Sequence, residues 1–408
     1  MAKSPASALR PVYLDNNATT RVDPEVLAAM QPFFTEHFGN ASSMHAFGAE
    51  IGGALDRARR QVQALLGAEY DHEIVFTSGG TESDNTAILS ALETQTGRNE
   101  IITSVVEHPA ILSLCDWLEK SRGIKVHRIP VDAQGRLDRE AYRNALSERT
   151  AIVSIMWANN ETGTIFPVEQ LAELAHEAGA LFHTDAVQAV GKIPIDLRTS
   201  EIDMLSLSGH KLHGPKGIGA LYVRRGVRLR PLIRGGHQER GRRGGTENAP
   251  AIVGLGKAAE LALQWMPHEA EAVKKLRDRL EQGIVARVPR CFVNGDTSSR
   301  LPNTTNIAFE FIEGEAILLL LNENGIAASS GSACTSGSLE PSHVLRAMKV
   351  PYTAAHGSTR FSFSRENSDA DVDRVLDVVP GVIAKLRRLS PFWQDDAAAE
   401  AEFRPTYA

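Results

Sequence analysis

Cysteine is scarce in this sequence. Three residues in 408, Cys115, Cys291 and Cys334, are all there is, with no C-x-x-C spacing among them. So odd and sparse a set argues against a disulfide framework and a structural zinc site; it suits a reducing compartment, with the cytoplasm as the expected location. Long apolar runs are missing as well. The longest aliphatic stretch, Ala316 to Leu321, is far too short to span a bilayer, and the first ten residues lack the apolar segment of a secretory signal. No membrane partner is therefore expected. Charge of one sign is also lacking: 44 Lys and Arg against 50 Asp and Glu leave a net charge of -6, which gives no footing for wholesale nucleic-acid binding. There is no internal repeat and no low-complexity linker. What is present, 42% hydrophobic and 23% charged residues, is ordinary for a globular chain, and the length calls for two or three domains, or one large and one small.

Strand-like apolar runs at 73–77, 100–103, 125–129, 151–157, 180–184, 203–207 and 219–223 alternate with helical stretches such as 168–178. Alternation of that kind predicts an α/β fold, a mostly parallel seven-stranded sheet with helices on both faces. Before it, Asp23-Pro24 opens a helix and a second helix fits 49–66, closed by Gly67. After Asn248 the texture changes. Two helices are expected at 249–265 and 269–288, then strands at 305–309 and 359–363 around a helix near 313–322, which reads as a smaller α+β domain. The expected division is an N-terminal segment, 1–20, that joins the small domain; a large domain, 21–264; the small domain, 265–390; and a tail, 391–408.

Several segments carry chemistry. Ser206-Leu-Ser-Gly-His-Lys-Leu-His-Gly-Pro-Lys-Gly217 follows a strand, and its glycines and proline hold Lys211 in a turn. Lys216, with His210 and His213 as further cations, would ease the loss of its proton, and a neutral amine can form a Schiff base; a solvated surface lysine is the other reading. In 73–85, a strand runs through Gly79-Gly80 into a helix opened by Thr81, where backbone N–H groups would face an anion. The pattern is neither a Walker A loop nor G-x-G-x-x-G, so it points to a phosphate-bearing cofactor rather than a nucleotide, against the plainer alternative of a capped helix. Asp185, at the end of the strand in 180–188, could pair with a protonated pyridine nitrogen or merely cap a helix.

His108, before Pro109, would sit at the rim, where an imidazole can stack on a flat ring or move protons; alone, it could as well be structural. Eight arginines between Arg224 and Arg243, with glycines in the later part, suggest a mobile, anion-seeking loop; no aromatics are interleaved for base stacking. Cys334 lies in Ser329-Ser-Gly-Ser-Ala-Cys-Thr-Ser-Gly-Ser338, a run of small polar residues that reads as exposed and flexible, so its thiol is a candidate nucleophile; a surface linker or one ligand to a shared metal cluster are the alternatives. Cys115 and Cys291 read as core. Arg360, on a short strand of the smaller domain, could clamp a substrate carboxylate.

Tyr13-Leu-Asp-Asn-Asn-Ala-Thr-Thr20, Asn159-Asn-Glu-Thr-Gly163, the Lys211 segment and the Cys334 segment together resemble the cysteine desulfurases. These are fold-type I pyridoxal phosphate enzymes of the class V aminotransferase group, and the likeness runs from Tyr13 to about Pro391. The stretches 33–36, 157–163 and 235–243 are similar to the nitrogen-fixation branch. The resemblance implies pyridoxal 5'-phosphate held by Lys211, with Asp185 on the pyridine nitrogen, Gln188 on the ring hydroxyl and His108 stacked on the ring. Gly80, Thr81, Ser208, Gly209 and His210 would hold the phosphate. Thr246 would reach the phosphate of a second subunit across a homodimer interface, and Asn160 and Arg360 would bind the carboxylate of L-cysteine. The implied reaction gives L-alanine and a persulfide on Cys334, whose sulfur passes to an iron–sulfur scaffold protein of the NifU kind. Cys334 would be a transient iron–sulfur ligand at most. A selenocysteine lyase, a small-amino-acid aminotransferase and a housekeeping desulfurase are the neighbouring alternatives.

Overall fold

The computed structural model describes residues 10–330 and 340–393. A short strand, β1 (Val12–Tyr13), leads into helices α1 (Pro24–Met30), α2 (Pro32–Thr35) and α3 (Ala46–Leu66). Asp23 caps α1 by accepting the N–H of Glu25 at 2.8 Å, and Pro24 occupies the first turn, where its missing N–H costs nothing. Gly67 closes α3 in the left-handed conformation, φ 59°. Then come β2 (Ile74–Thr77), α4 (Gly80–Thr94), β3 (Glu100–Ser104), α5 (Pro109–Arg122), β4 (Lys125–Ile129), α6 (Arg139–Ala145) and β5 (Thr150–Ser154). They are followed by α7 (Val168–Glu177), β6 (Leu181–Asp185), β7 (Met204–Ser208) and β8 (Gly219–Val223).

The seven strands β2 to β8 form one sheet in the order β2-β8-β7-β6-β5-β3-β4, in which β8 alone runs against its neighbours. Side chains alternate between its faces with the period of two that strands impose. Ile74, Phe76, Ile102, Val153, Leu205 and Tyr222 pack with α3, α7 and the start of the next helix. The intervening Val75, Ile101, Ile152, Met204 and Leu221 pack with α4 and α5. Both faces are covered, which is why these strands read as continuous apolar runs.

Residues 249–265 and 269–288 do not form two helices. One helix, α8 (Ala249–Arg287), runs through Pro267. The proline lies on an exposed stretch, so the missing backbone N–H leaves no buried carbonyl stranded, while both halves of the helix bury apolar faces. Beyond it lie β9 (Cys291–Asn294), β10 (Thr304–Phe309), α9 (Gly314–Glu323), β11 (Ile326–Ala327), α10 (His343–Ala347), α11 (Tyr352–Ala355), β12 (Ser358–Ser362) and α12 (Asp369–Leu389). β9, β10 and β12 make a three-stranded antiparallel sheet. Its core draws on α8, α9 and α12, and also on Val12 and Leu14, because β1 pairs in parallel with β11. Cys115 is fully buried, but Cys291 is only half-buried at a sheet edge, so it is not the core residue its apolar neighbours suggest. No helix among the described residues is long and apolar enough to cross a membrane.

Candidate functional site

The site is built at the carboxyl ends of the strands. Register sets Asp185 opposite Ser206, and Thr77, Gly219 and Ser208 share one row across β2, β8 and β7. The start of α4 closes onto that row. A Cβ at Gly80 would lie 2.8 Å from Val187 Cγ2 and 3.9 Å from Ser208 Cβ, and one at Gly219 would lie 2.7 Å from Gly79 Cα. Only residues without side chains let the N–H groups of a helix start approach this closely. Ser208 is buried, whereas Thr81 is exposed at the first turn.

Lys211 follows Ser208 by one turn of 3-10 helix. Its Nζ donates to Ala18 O at 2.7 Å and also to Asn17 O, so the N-terminal segment forms the wall beside the amine. His210 Nδ1 is 3.2 Å from Thr19 Oγ1. Burial, then Lys211 and Lys216, pull His210 down to about 4; burial and Arg365 do the same to His213. Both rings are therefore neutral at pH 7 and are not the extra cations expected beside Lys211.

Asp185 is buried, and its Oδ1 accepts the N–H of Val187 at 2.9 Å. Burial raises its pKa, opposed by His108, that N–H and Lys211. A buried carboxylate in that condition wants a cation in front of it, and a protonated pyridine nitrogen answers the need. His108 caps α5, with Nδ1 accepting the N–H of Ala110 at 3.1 Å, which leaves Nε2 as the protonated nitrogen of a neutral ring. Burial lowers its pKa, Asp185 opposes, and Lys211 and His343 lower it further. Gln188, also buried, donates to Asn17 O at 3.0 Å. An anion-binding helix start, an amine, a carboxylate in want of a cation and a neutral imidazole fit a planar, phosphate-bearing heterocycle such as pyridoxal phosphate.

On the opposite side, Arg360 is 2% exposed; its Nη1 donates to Asn160 O at 2.9 Å and its Nη2 to Asp15 Oδ1 at 2.8 Å. Cys334 lies outside the described residues. The chain on either side of its segment is fixed to the walls of the site. Ser329 exchanges backbone hydrogen bonds with Arg360 at 2.6 and 3.2 Å, Ser342 Oγ donates to Glu161 Oε2 at 2.5 Å, and His343 Nε2 donates to Glu107 O at 3.0 Å.

Thr246 is exposed, and its neighbours Gly245 and Glu247 line a cleft with Thr77 and Ser78 beside the α4 start. The arginine–glycine loop before it is pinned by internal pairs rather than left to seek an anion. Arg59 binds Glu239 through two 2.7 Å contacts, Arg242 Nη2 donates to His72 O at 2.7 Å, and Arg243 Nε donates to Glu82 Oε1 at 3.0 Å.

Sequence reasoning missed a polar layer beneath the site. His183 is fully buried between Ser154 Oγ and Ser206 Oγ, both at 2.9 Å, and burial takes it down to about 3. Burial lifts Glu107 to about 8 and, with Asp185 adding, drives Asp84 well above the carboxylate range. With a pKa of about 8, Glu107 is mostly protonated at pH 7, and burial works against the charged form of Asp84 as well. Their segments were legible, but nothing in their spacing announced burial.

The family description Aminotransferase class-V matches residues 12–375. A cysteine desulfurase of Gluconacetobacter diazotrophicus is 79% identical over 397 residues, 97% of this chain and 99% of that relative. The cysteine desulfurase NifS of Azotobacter vinelandii is 65% identical over 399 residues, with the same coverage, 97% and 99%. Among solved structures, a NifS-like protein superposes with a TM-score of 0.86 at 40% identity, covering 92% of this chain and all of that one. A structure described as SspA in complex with cysteine superposes with a TM-score of 0.77 at 37% identity, covering 86% of this chain and 99% of its own.

Proposed function

Because this chain belongs to the class-V aminotransferase family, whose cofactor is pyridoxal 5'-phosphate, we propose that it is a cysteine desulfurase that turns L-cysteine into L-alanine and keeps the sulfur on Cys334. The observation that carries this reading is that Lys211, Asp185 and His108, at the carboxyl ends of β7, β6 and β3, act on one another electrostatically, with the chain on both sides of the Cys334 segment tethered to the same walls.

Each residue's task follows from its position. Lys211 would hold the cofactor and, as a free amine, would move protons at the substrate carbons. Asp185 would supply the negative charge that keeps the pyridine nitrogen protonated. Ser208, Gly209, His210, Gly80 and Thr81 would hold the phosphate at the α4 start, Gln188 would donate to the ring hydroxyl and His108 would cover the ring. Arg360 and Asn160 receive the substrate carboxylate. When bound, the cofactor supplies an electron sink that lets protons leave and return at the substrate carbons. The Cys334 thiolate attacks the substrate sulfur; the carbon–sulfur bond breaks, its electron pair stays with the carbon skeleton, and a proton delivered there completes alanine. Cys334 is left as a persulfide.

A homodimer is part of the reading. Phe34 (61% exposed), Phe38 (69%) and Phe47 (56%) present an apolar surface with Met44 that a lone chain would leave in water. The Thr246 loop would serve the partner's phosphate. The persulfide is handed to an iron–sulfur scaffold protein of the NifU kind for nitrogenase maturation in the cytoplasm, a role supported by the 65% identity with a NifS. Cys334→Ala should keep the yellow cofactor band and lose alanine formation from L-cysteine. Alanine release at the wild-type rate would reject Cys334 as the nucleophile.

A further inference from the structure

Behind Lys211 lies a narrow cleft with a second amine on its wall, that of Lys192. Lys192 sits in the turn that follows Asp185, with its backbone N–H on Ala189 O at 3.0 Å. Its Nζ donates to Gln188 Oε1 at 3.0 Å, Gln188 Nε2 donates to Asn17 O at 3.0 Å, and Asn17 O also accepts from Lys211 Nζ. The two amines are thus joined through one amide side chain and one carbonyl. Asn17 is itself fixed, its Nδ2 on Thr304 Oγ1 at 2.9 Å and its Oδ1 accepting from Asn303 at 3.0 Å.

The chemistry of the donors orients the middle of this chain. An ammonium only donates, so the end of Gln188 that meets Lys192 must be its oxygen, and the NH2 end must face Asn17 O and the ring side of the site. Asn17 O demands the donor end from its own side, and Lys192 holds the oxygen from the other; without Lys192 the amide loses one of its two anchors and its position slackens. We infer that Lys192 is a positioning residue of the desulfurase reaction, holding the Gln188 amide with its donor end toward the cofactor's ring hydroxyl. The inference rests on the assignment of Gln188 to that hydroxyl.

The ammonium is under pressure. Burial and then Lys211 drag Lys192 down to about 7, Arg360 adds to the fall, and Glu269, itself facing Arg365, opposes it. Once deprotonated, the amine gains a lone pair and can accept as well as donate, so the lock loosens above neutrality. Arginine keeps a cation that only donates at every working pH.

The test titrates the visible band of the bound cofactor in the wild type, Lys192→Met, Lys192→Arg, Gln188→Ala and the Lys192→Met/Gln188→Ala double variant, with cofactor content measured in each. A ring oxygen deprived of its donor is more basic, so the midpoint should rise by about 0.5–1 pH unit in Gln188→Ala and in Lys192→Met. Lys192→Arg should restore it. In the double variant the midpoint should rise no further than in Gln188→Ala alone, because Lys192 acts through that amide. Additive shifts, or a Lys192→Met midpoint equal to wild type while Gln188→Ala moves, would overturn the role of Lys192. A Gln188→Ala midpoint equal to wild type would instead overturn the assignment of Gln188.

Discussion

Arg360 Nη2 donates to Asp15 Oδ1 at 2.8 Å, so the guanidinium proposed to clamp the substrate already holds a carboxylate from the chain's own N-terminal turn. Its Nη1 is taken by Asn160 O, and its buried Nε has no hydrogen-bond partner among the described residues. A planar fork can keep Asp15 on one edge and turn another toward a second carboxylate, which a point-like ammonium cannot do. Arg360→Lys should therefore weaken kcat/KM for L-cysteine by roughly ten- to hundredfold, from a loss of about 1.5–3 kcal/mol, chiefly through KM. Steady-state kinetics check it; a KM within twofold of wild type would remove Arg360 from substrate binding.

Gly219 has a steric task. A Cβ there would stand 2.5 Å from Leu207 O and 2.7 Å from Gly79 Cα, both backbone atoms that cannot swing aside. Gly219→Ala must push the α4 start away from Ser208, at roughly 1–3 kcal/mol or more of stability. The same displacement pulls the helix N–H groups off the phosphate position, so cofactor affinity should fall together with the denaturation midpoint. Loss of stability with unchanged cofactor affinity would show that the phosphate does not sit at this helix start.

The sheet and the ends of its strands were readable because burial on both faces writes itself as uninterrupted apolar runs, and a lysine or aspartate just past such a run stands out. Lys211 and Asp185 were legible for that reason. Glu107, Asp84, His183 and Lys192 were not. Glu107, Asp84 and His183 lie in segments the sequence marks and Lys192 lies just past one, yet their roles come from neighbours brought in from elsewhere in the chain: Ser154 and Ser206 around His183, Asn17 beyond Gln188. Pro267 misled in the opposite direction, since a proline exposed in mid-helix loses one hydrogen bond without ending a helix that packs on both sides of it. The arginine-rich loop looked free because its partners, Glu82 and the Arg59 that binds Glu239, lie more than a hundred residues away in the chain.

Glu107 gives the site a pH dependence of known sign. Burial raises its carboxyl to about 8, although Ser104 Oγ at 2.6 Å and the N–H of Met156 at 3.0 and 3.1 Å favour the charged form. An unfolded chain releases that proton near 4.3. Between those values the folded protein binds a proton that the unfolded chain has given up, so this group's stabilising contribution is complete below about pH 4 and is lost as pH rises toward 8. His183, held near 3 against an ordinary 6.5, works the other way, and its contribution is lost as pH falls below about 6.5. Comparing wild type with Glu107→Gln isolates the first group, since His183 is common to both. The variant keeps a neutral side chain of the same size, so its unfolding free energy should gain on the wild type steadily from pH 5 to pH 8, by about 4 kcal/mol at most. A difference that stays constant over that range would mean that Glu107 is already ionised in the folded protein, its charge carried by Ser104 and the N–H of Met156.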